Sequence, residues 1–156
     1  LSTPDTDDLT HRIIGLAMRV HTRLGPGLLE SAYERCLCHE FDQNALAYAR
    51  QVDLPLDYDG VILDCGYRAD IIVDNAVILE LKSVEHIRPL HEAQLLTYLR
   101  LSRCRFGLLL NFNTRSLKDG IRRRILRASL SPGWTVRAVG GRGPGPCPRS
   151  RSRCRD

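Results

Sequence analysis

No apolar run in this chain is long enough to span a bilayer, so no membrane-crossing helix is expected within it. The opening Leu-Ser-Thr-Pro-Asp has neither the basic region nor the apolar stretch of a secretory signal, so the expected location is the cytoplasm. Cysteine is present but lacks metal-binding grammar. Cys36, Cys38, Cys65, Cys104, Cys147 and Cys154 form no Cys-x-x-Cys pair, and no histidine spacing completes a zinc site. Reduced thiols filling apolar segments are the expectation. No internal repeat is visible. The body of the chain also lacks an excess of positive charge. The formal net charge is +5, yet Lys and Arg balance Asp and Glu through Leu130, and the whole excess lies in residues 131–156. Phosphate affinity in the body must then come from local clustering or from a metal. The length fits one domain, expected over 1–130, followed by a basic Gly/Pro/Arg-rich tail over 131–156. That tail is expected to be disordered from about residue 140, with Trp134, Val136 and Val139 as its few docking side chains.

What is present is a concentrated set of charges in an apolar setting. Residues Arg68 to Ser83 read as two strands rich in Ile, Val and Leu around a turn at Asp74-Asn75. Glu80 and Lys82 stand on the second strand and Asp70 on the first. A charge on a buried strand costs several kcal/mol unless it is compensated. Alternation puts Glu80 and Lys82 on one face. A two-residue turn would pair Val73 with Ala76 and send Asp70 to the opposite face. A three-residue turn over Asp74 to Ala76 pairs Val73 with Val77, and sets Asp70 across from Glu80 and Arg68 across from Lys82. The odd-length turn is predicted because it gathers the charges. Two carboxylates from adjacent strands make a hard oxygen site suited to Mg²⁺ or Mn²⁺. A lysine two residues beyond can orient or help deprotonate a metal-bound water. The bland reading is an ion-pair cluster of Arg68, Asp70, Glu80 and Lys82.

The flanking segments supply the frame. Asp5 to Asp8 open a first helix whose apolar side holds Leu9, Ile13, Leu16, Ala17, Val20 and Leu24, and which stops at Gly25-Pro26. His21 near its end is expected to engage the last helix carbonyls. A second helix places Leu29, Tyr33, Cys36, Leu37 and Phe41 on its apolar side, with Glu30 beside that face. By itself Glu30 reads as a first-turn partner of the helix dipole. Tyr48 to Tyr58 alternates, and Pro55 within the run suggests an edge strand; Asp59-Gly60 turns it, Val61 begins the return strand, and Gly66 bends that strand. Pro89 opens a third helix with a stripe of Ala93, Leu95, Leu96, Leu99 and Leu101. Gln94 and Tyr98 share one of its faces. Phe106 to Leu110 reads as a buried strand reached by a crossover. Ser116 is predicted to cap a last helix, with Leu117, Ile121, Ile125 and Leu126 inward and Arg122, Arg123, Arg124 and Arg127 solvated.

This order of helix with Glu, strand with Asp, strand with Glu-x-Lys and helix with Gln-x-x-x-Tyr resembles the PD-(D/E)XK nuclease superfamily, in particular its RecB-like branch. The string Gly27-Leu-Leu-Glu30-Ser-Ala-Tyr33 is similar to the signature of the small GxxExxY proteins within it. Glu-Leu-Lys-Ser, His91-Glu-Ala-Gln94-Leu-Leu-Thr-Tyr98 and Asn111-Phe-Asn113 extend the likeness from about Leu9 to Leu126. Ala69 stands where the superfamily often has Pro before the first Asp. The resemblance implies an α/β, restriction-endonuclease-like αβββαβ core, a central mixed sheet flanked by helices. It implies Asp70, Glu80 and the Leu81 carbonyl as metal contacts for Mg²⁺ or Mn²⁺, Lys82 positioning the water, and Glu30 as an extra catalytic carboxylate. Gln94 and Tyr98 would touch DNA or steady the site. The implied activity is hydrolysis of phosphodiester bonds, of DNA by expectation, with a homodimer as a common arrangement. The alternative is a non-catalytic nucleic-acid- or partner-binding module that keeps the fold.

Overall fold

The computed structural model describes residues 6–127. The proposed docking of Trp134, Val136 and Val139 and the whole tail expectation lie outside the described residues. Helix α1 (Thr6–Leu24) buries Leu9, Ile13, Leu16, Ala17 and Val20 along one stripe. It stops where Gly25 turns left-handed at φ +67°, with the Gly25 N–H donating to the His21 carbonyl. Helix α2 (Glu30–Gln43) follows and buries Tyr33, Leu37, Cys38 and Phe41. Then come β1 (Tyr48–Asp53), a hairpin of β2 (Leu56–Tyr58) and β3 (Val61–Leu63), β4 (Arg68–Val73) and β5 (Val77–Lys82). Helix α3 (Pro89–Ser102) crosses to β6 (Phe106–Asn111), and β7 (Ile121–Ile125) ends the described chain.

The main sheet runs in the order β1-β4-β5-β6-β7, with β5 and β6 parallel and every other neighbour antiparallel. It is a central mixed sheet with helices on both sides, as the resemblance implies. On β5 the odd residues Val77, Leu79 and Leu81 face α1 and α2, whereas Ile78 faces α3 with Leu95 and Leu99. Period-2 alternation therefore turns Glu80 and Lys82 toward α3. The β4–β5 register pairs Val73 with Val77, as the three-residue turn requires. Asp74 and Asn75 supply that turn's left-handed residues.

Several expectations fail, each for a local reason. The predicted last helix is a short 3-10 turn over Leu117–Gly120 and then strand β7. Its i, i+4 pattern lost to the open edge of β6, whose backbone groups need a ladder partner. Gly120 also lies so close to the chain that an added Cβ would sit 2.2 Å from the Asn111 carbonyl oxygen. Three of the arginines expected to be solvated are half-buried and paired, Arg122 and Arg124 with Glu92 and Arg123 with Asp7, whereas Arg127 is exposed as expected. The strand from Tyr48 is divided at Leu54-Pro55, and β2–β3 stands as a separate two-stranded sheet. Leu24 is 40% exposed, and Leu29 is 76% exposed because it precedes α2 as its N-cap. Ala93 is exposed, since the buried side of α3 runs through Leu95, Tyr98, Leu99 and Leu101. His21 bonds the Thr114 carbonyl at 2.8 Å, because burial points its ring across to that loop rather than back along its own helix. Among the described residues, no helix is long and apolar enough to cross a membrane.

Candidate active site

The two ladders beside Asp70 are both interrupted. Pairing of β4 with β5 is regular from Val73↔Val77 to Ile71↔Leu79 and goes no further. Pairing of β4 with β1 skips Gln51, the residue in register with Asp70. Gln51 takes a left-handed φ of 49°, unusual for a non-glycine in a strand and costing roughly 1–3 kcal/mol. Across the opening on the other side, the Asp70 carboxylate accepts the Leu81 N–H at 2.8 Å. A side chain thus replaces the ladder bond, and the strands part at the point where the acids sit.

Glu80 is buried, 3% exposed, with Oε1 paired to Lys82 Nζ at 2.7 Å. Its Oε2 is buried without a hydrogen-bond partner among the described residues. Such an orphan costs about 1–3 kcal/mol. Burial, then the charge of Asp70, push the Glu80 carboxyl up to about 7 despite the lysine. Burial likewise raises Asp70, against the pull of the Leu81 N–H and Lys82. Burial alone would lower Lys82, but its hydrogen bond and charge contact with Glu80 outweigh this and raise it. The predicted trio therefore comes together. Arg68 does not join it and pairs outward with Asp53 at 3.4 Å. Tyr98 is raised by burial and then by the Glu80 charge, so α3 presents it to the site, and Gln94 Nε2 donates to its hydroxyl at 2.7 Å.

Glu30 stands at the start of α2, where its Oε1 accepts the Ser83 N–H at 3.1 Å. Its charge reaches Asp70, Glu80 and Lys82. Yet among the described residues no group of three or more His, Cys, Asp or Glu gathers closely enough to hold an ion. The donor set is thus two carboxylates, with backbone and solvent to complete it. That is the sparse set Mg²⁺ accepts, since it keeps several waters. Lys82 is the one cation paired with these two carboxylates among the described residues, and it leaves a buried Glu80 oxygen unpartnered, so the residues present fit a divalent cation.

The roles of two positioning groups escaped the sequence reading, although Asn111 stood in the Asn111-Phe-Asn113 string. Glu34, one turn after Glu30, is buried and takes the Arg50 Nε–H at 2.7 Å and the Gln51 amide at 2.8 Å. Its i, i+4 spacing from Glu30 was the available signal. Asn111 is 1% exposed and clamps Val84 on both sides, accepting its N–H at 3.1 Å and donating to its carbonyl at 2.9 Å. That clamp fixes Ser83, whose hydroxyl donates to the Leu28 carbonyl at 2.7 Å.

A mixed sheet opened at paired acids, with a lysine two residues on and helices on both sides, is the frame of a restriction-endonuclease-like protein. The family model of the PD-(D/E)XK nuclease superfamily matches residues 7–124, and the chain belongs to that superfamily. Comparison with curated proteins and with solved structures finds no match. PD-(D/E)XK nucleases generally use divalent metals.

Proposed function

We propose that this protein is a metal-dependent nuclease that hydrolyses phosphodiester bonds of DNA. The supporting observation is the buried, unpartnered oxygen of Glu80 beside Asp70, where two strands part. Asp70 and Glu80 would hold Mg²⁺ or Mn²⁺. The N–H and C=O of a strand residue address the same neighbour, so the Leu81 carbonyl is the natural backbone contact. An ion bound there supplies Lewis-acid polarisation and a lowered water pKa. Lys82 is ion-paired with Glu80 at 2.7 Å. Its ammonium would align the attacking water and steady charge developing on the phosphoryl oxygens. Glu30 adds negative charge at the margin of the site and anchors Ser83. Gln94 and Tyr98 form a hydrogen-bonded pair on α3 that would steady Glu80 and meet the substrate strand.

The test is cleavage of plasmid and linear DNA in Mg²⁺ or Mn²⁺. Asp70→Ala and Lys82→Ala are each expected to lower the rate by roughly 100-fold or more. Activity that survives both substitutions would belong to a contaminant and would remove the proposal.

A further inference from the structure

An open cleft of about 660 Å³ lies between the loop before α2 and the ends of β5 and β6. Glu30 and Ser83 form the side nearest Lys82, and Leu28, Leu29 and Asn113 are among the residues that line the rest. Its walls are fixed. The Leu28 N–H donates to the Tyr33 hydroxyl at 3.1 Å, and that hydroxyl donates to the Gly25 carbonyl at 2.6 Å. Ser83 ties the same loop to β5, and Asn111 holds Ser83's neighbour. Within this rigid frame Leu29 is 76% exposed and serves no core. The half-buried Asn113 has no hydrogen-bond partner for its side-chain amide among the described residues.

Among the described residues the lining contains no Lys or Arg, and its one charge is the Glu30 carboxylate. A phosphate would be repelled there. A neutral, flat group with apolar faces and hydrogen-bonding edges suits it: leucine side chains against the faces, the Asn113 amide offering donor and acceptor to an edge. We propose that the cleft receives the base of an unpaired nucleotide next to the phosphate held at Asp70 and Glu80, so that the substrate is single-stranded or locally unpaired DNA. A base within a duplex reaches a recess of this kind only by leaving the stack, and an unpaired one enters without that penalty. The inference rests on the nuclease reading for the position of the phosphate.

The full chain is mixed with a fluorescent single strand of mixed sequence in Ca²⁺, which holds phosphate without cleavage, and anisotropy is measured. The same is done with the duplex and with a wholly abasic strand of the same length. The unmodified strand is expected to bind roughly tenfold or more tightly than either. Leu29→Ala and Asn113→Ala are each expected to weaken the unmodified strand several-fold and to leave the abasic strand unchanged. Equal affinity for the unmodified and abasic strands, or variants that weaken both equally, would overturn the proposal. Base-dependent binding in a protein that fails the cleavage test would uphold the cleft and remove only the nuclease reading.

Discussion

Glu80 is almost wholly buried, with one oxygen on Lys82 and the other without a partner among the described residues. Its carboxyl sits near 7 in the fold against an ordinary 4.5, so the folded metal-free protein holds this proton more tightly than the unfolded chain does. That contribution is fully present below 4.5 and is lost as pH rises through about 7. The size is on the order of 3 kcal/mol at most. Urea unfolding without divalent ions should therefore show stability falling across that window, and Glu80→Gln should flatten the fall. A second residue-scale expectation concerns Asn111. Removing its side chain strands the Val84 N–H and carbonyl. Asn111→Ala should cost roughly 2–4 kcal/mol in urea unfolding and slow cleavage, because Ser83 and Glu30 lose their anchor. Asp70, Glu80 and Lys82 were legible in the sequence because alternation and one turn length decide their face. The roles of Glu34 and Asn111 were not, since their partners Arg50 and Val84 lie 16 and 27 residues away and only folding brings them together.

At the scale of elements, the decisive event is the parting of the strands around Asp70. The left-handed Gln51 withdraws β1 from the ladder there, and the Asp70 carboxylate takes the place of the β5 ladder bond. Nothing in a hydrophobic pattern announces such a break, because the apolar alternation continues through it. The three helices, the central strands and the crossover were readable from periodicity and from Gly25, Pro26 and Pro89. The C-terminal element was not. Leu117, Ile121 and Ile125 fit a helix by spacing, and only the unpaired edge of β6 makes them a 3-10 turn and a strand. Gly120 sits at that switch. An added Cβ would meet the Asn111 carbonyl oxygen at 2.2 Å, and a backbone oxygen cannot turn aside as a side chain can. Gly120→Ala should destabilise the protein by roughly 2–4 kcal/mol, read as a lower urea midpoint with unchanged slope.

Across the whole molecule, charge is divided between a balanced body and an excess in residues 131–156. In the proposed function the site would hold a phosphate through a bound cation and Lys82, with little help from a general positive field. Removing residues 131–156 should make DNA affinity less sensitive to salt. The log–log slope should shrink by roughly 0.7 for each single-strand phosphate that those arginines neutralise. The ion site at Asp70 and Glu80 should be untouched by that deletion. Its existence is tested most directly by titrating Mn²⁺ into the protein and counting free ion by electron paramagnetic resonance. Binding is expected in the native chain, abolished in Asp70→Ala and Glu80→Gln, and retained in Glu85→Ala, which removes an exposed acid outside the site. Equal Mn²⁺ binding by all four proteins would contradict the cation site, and with it the proposed chemistry.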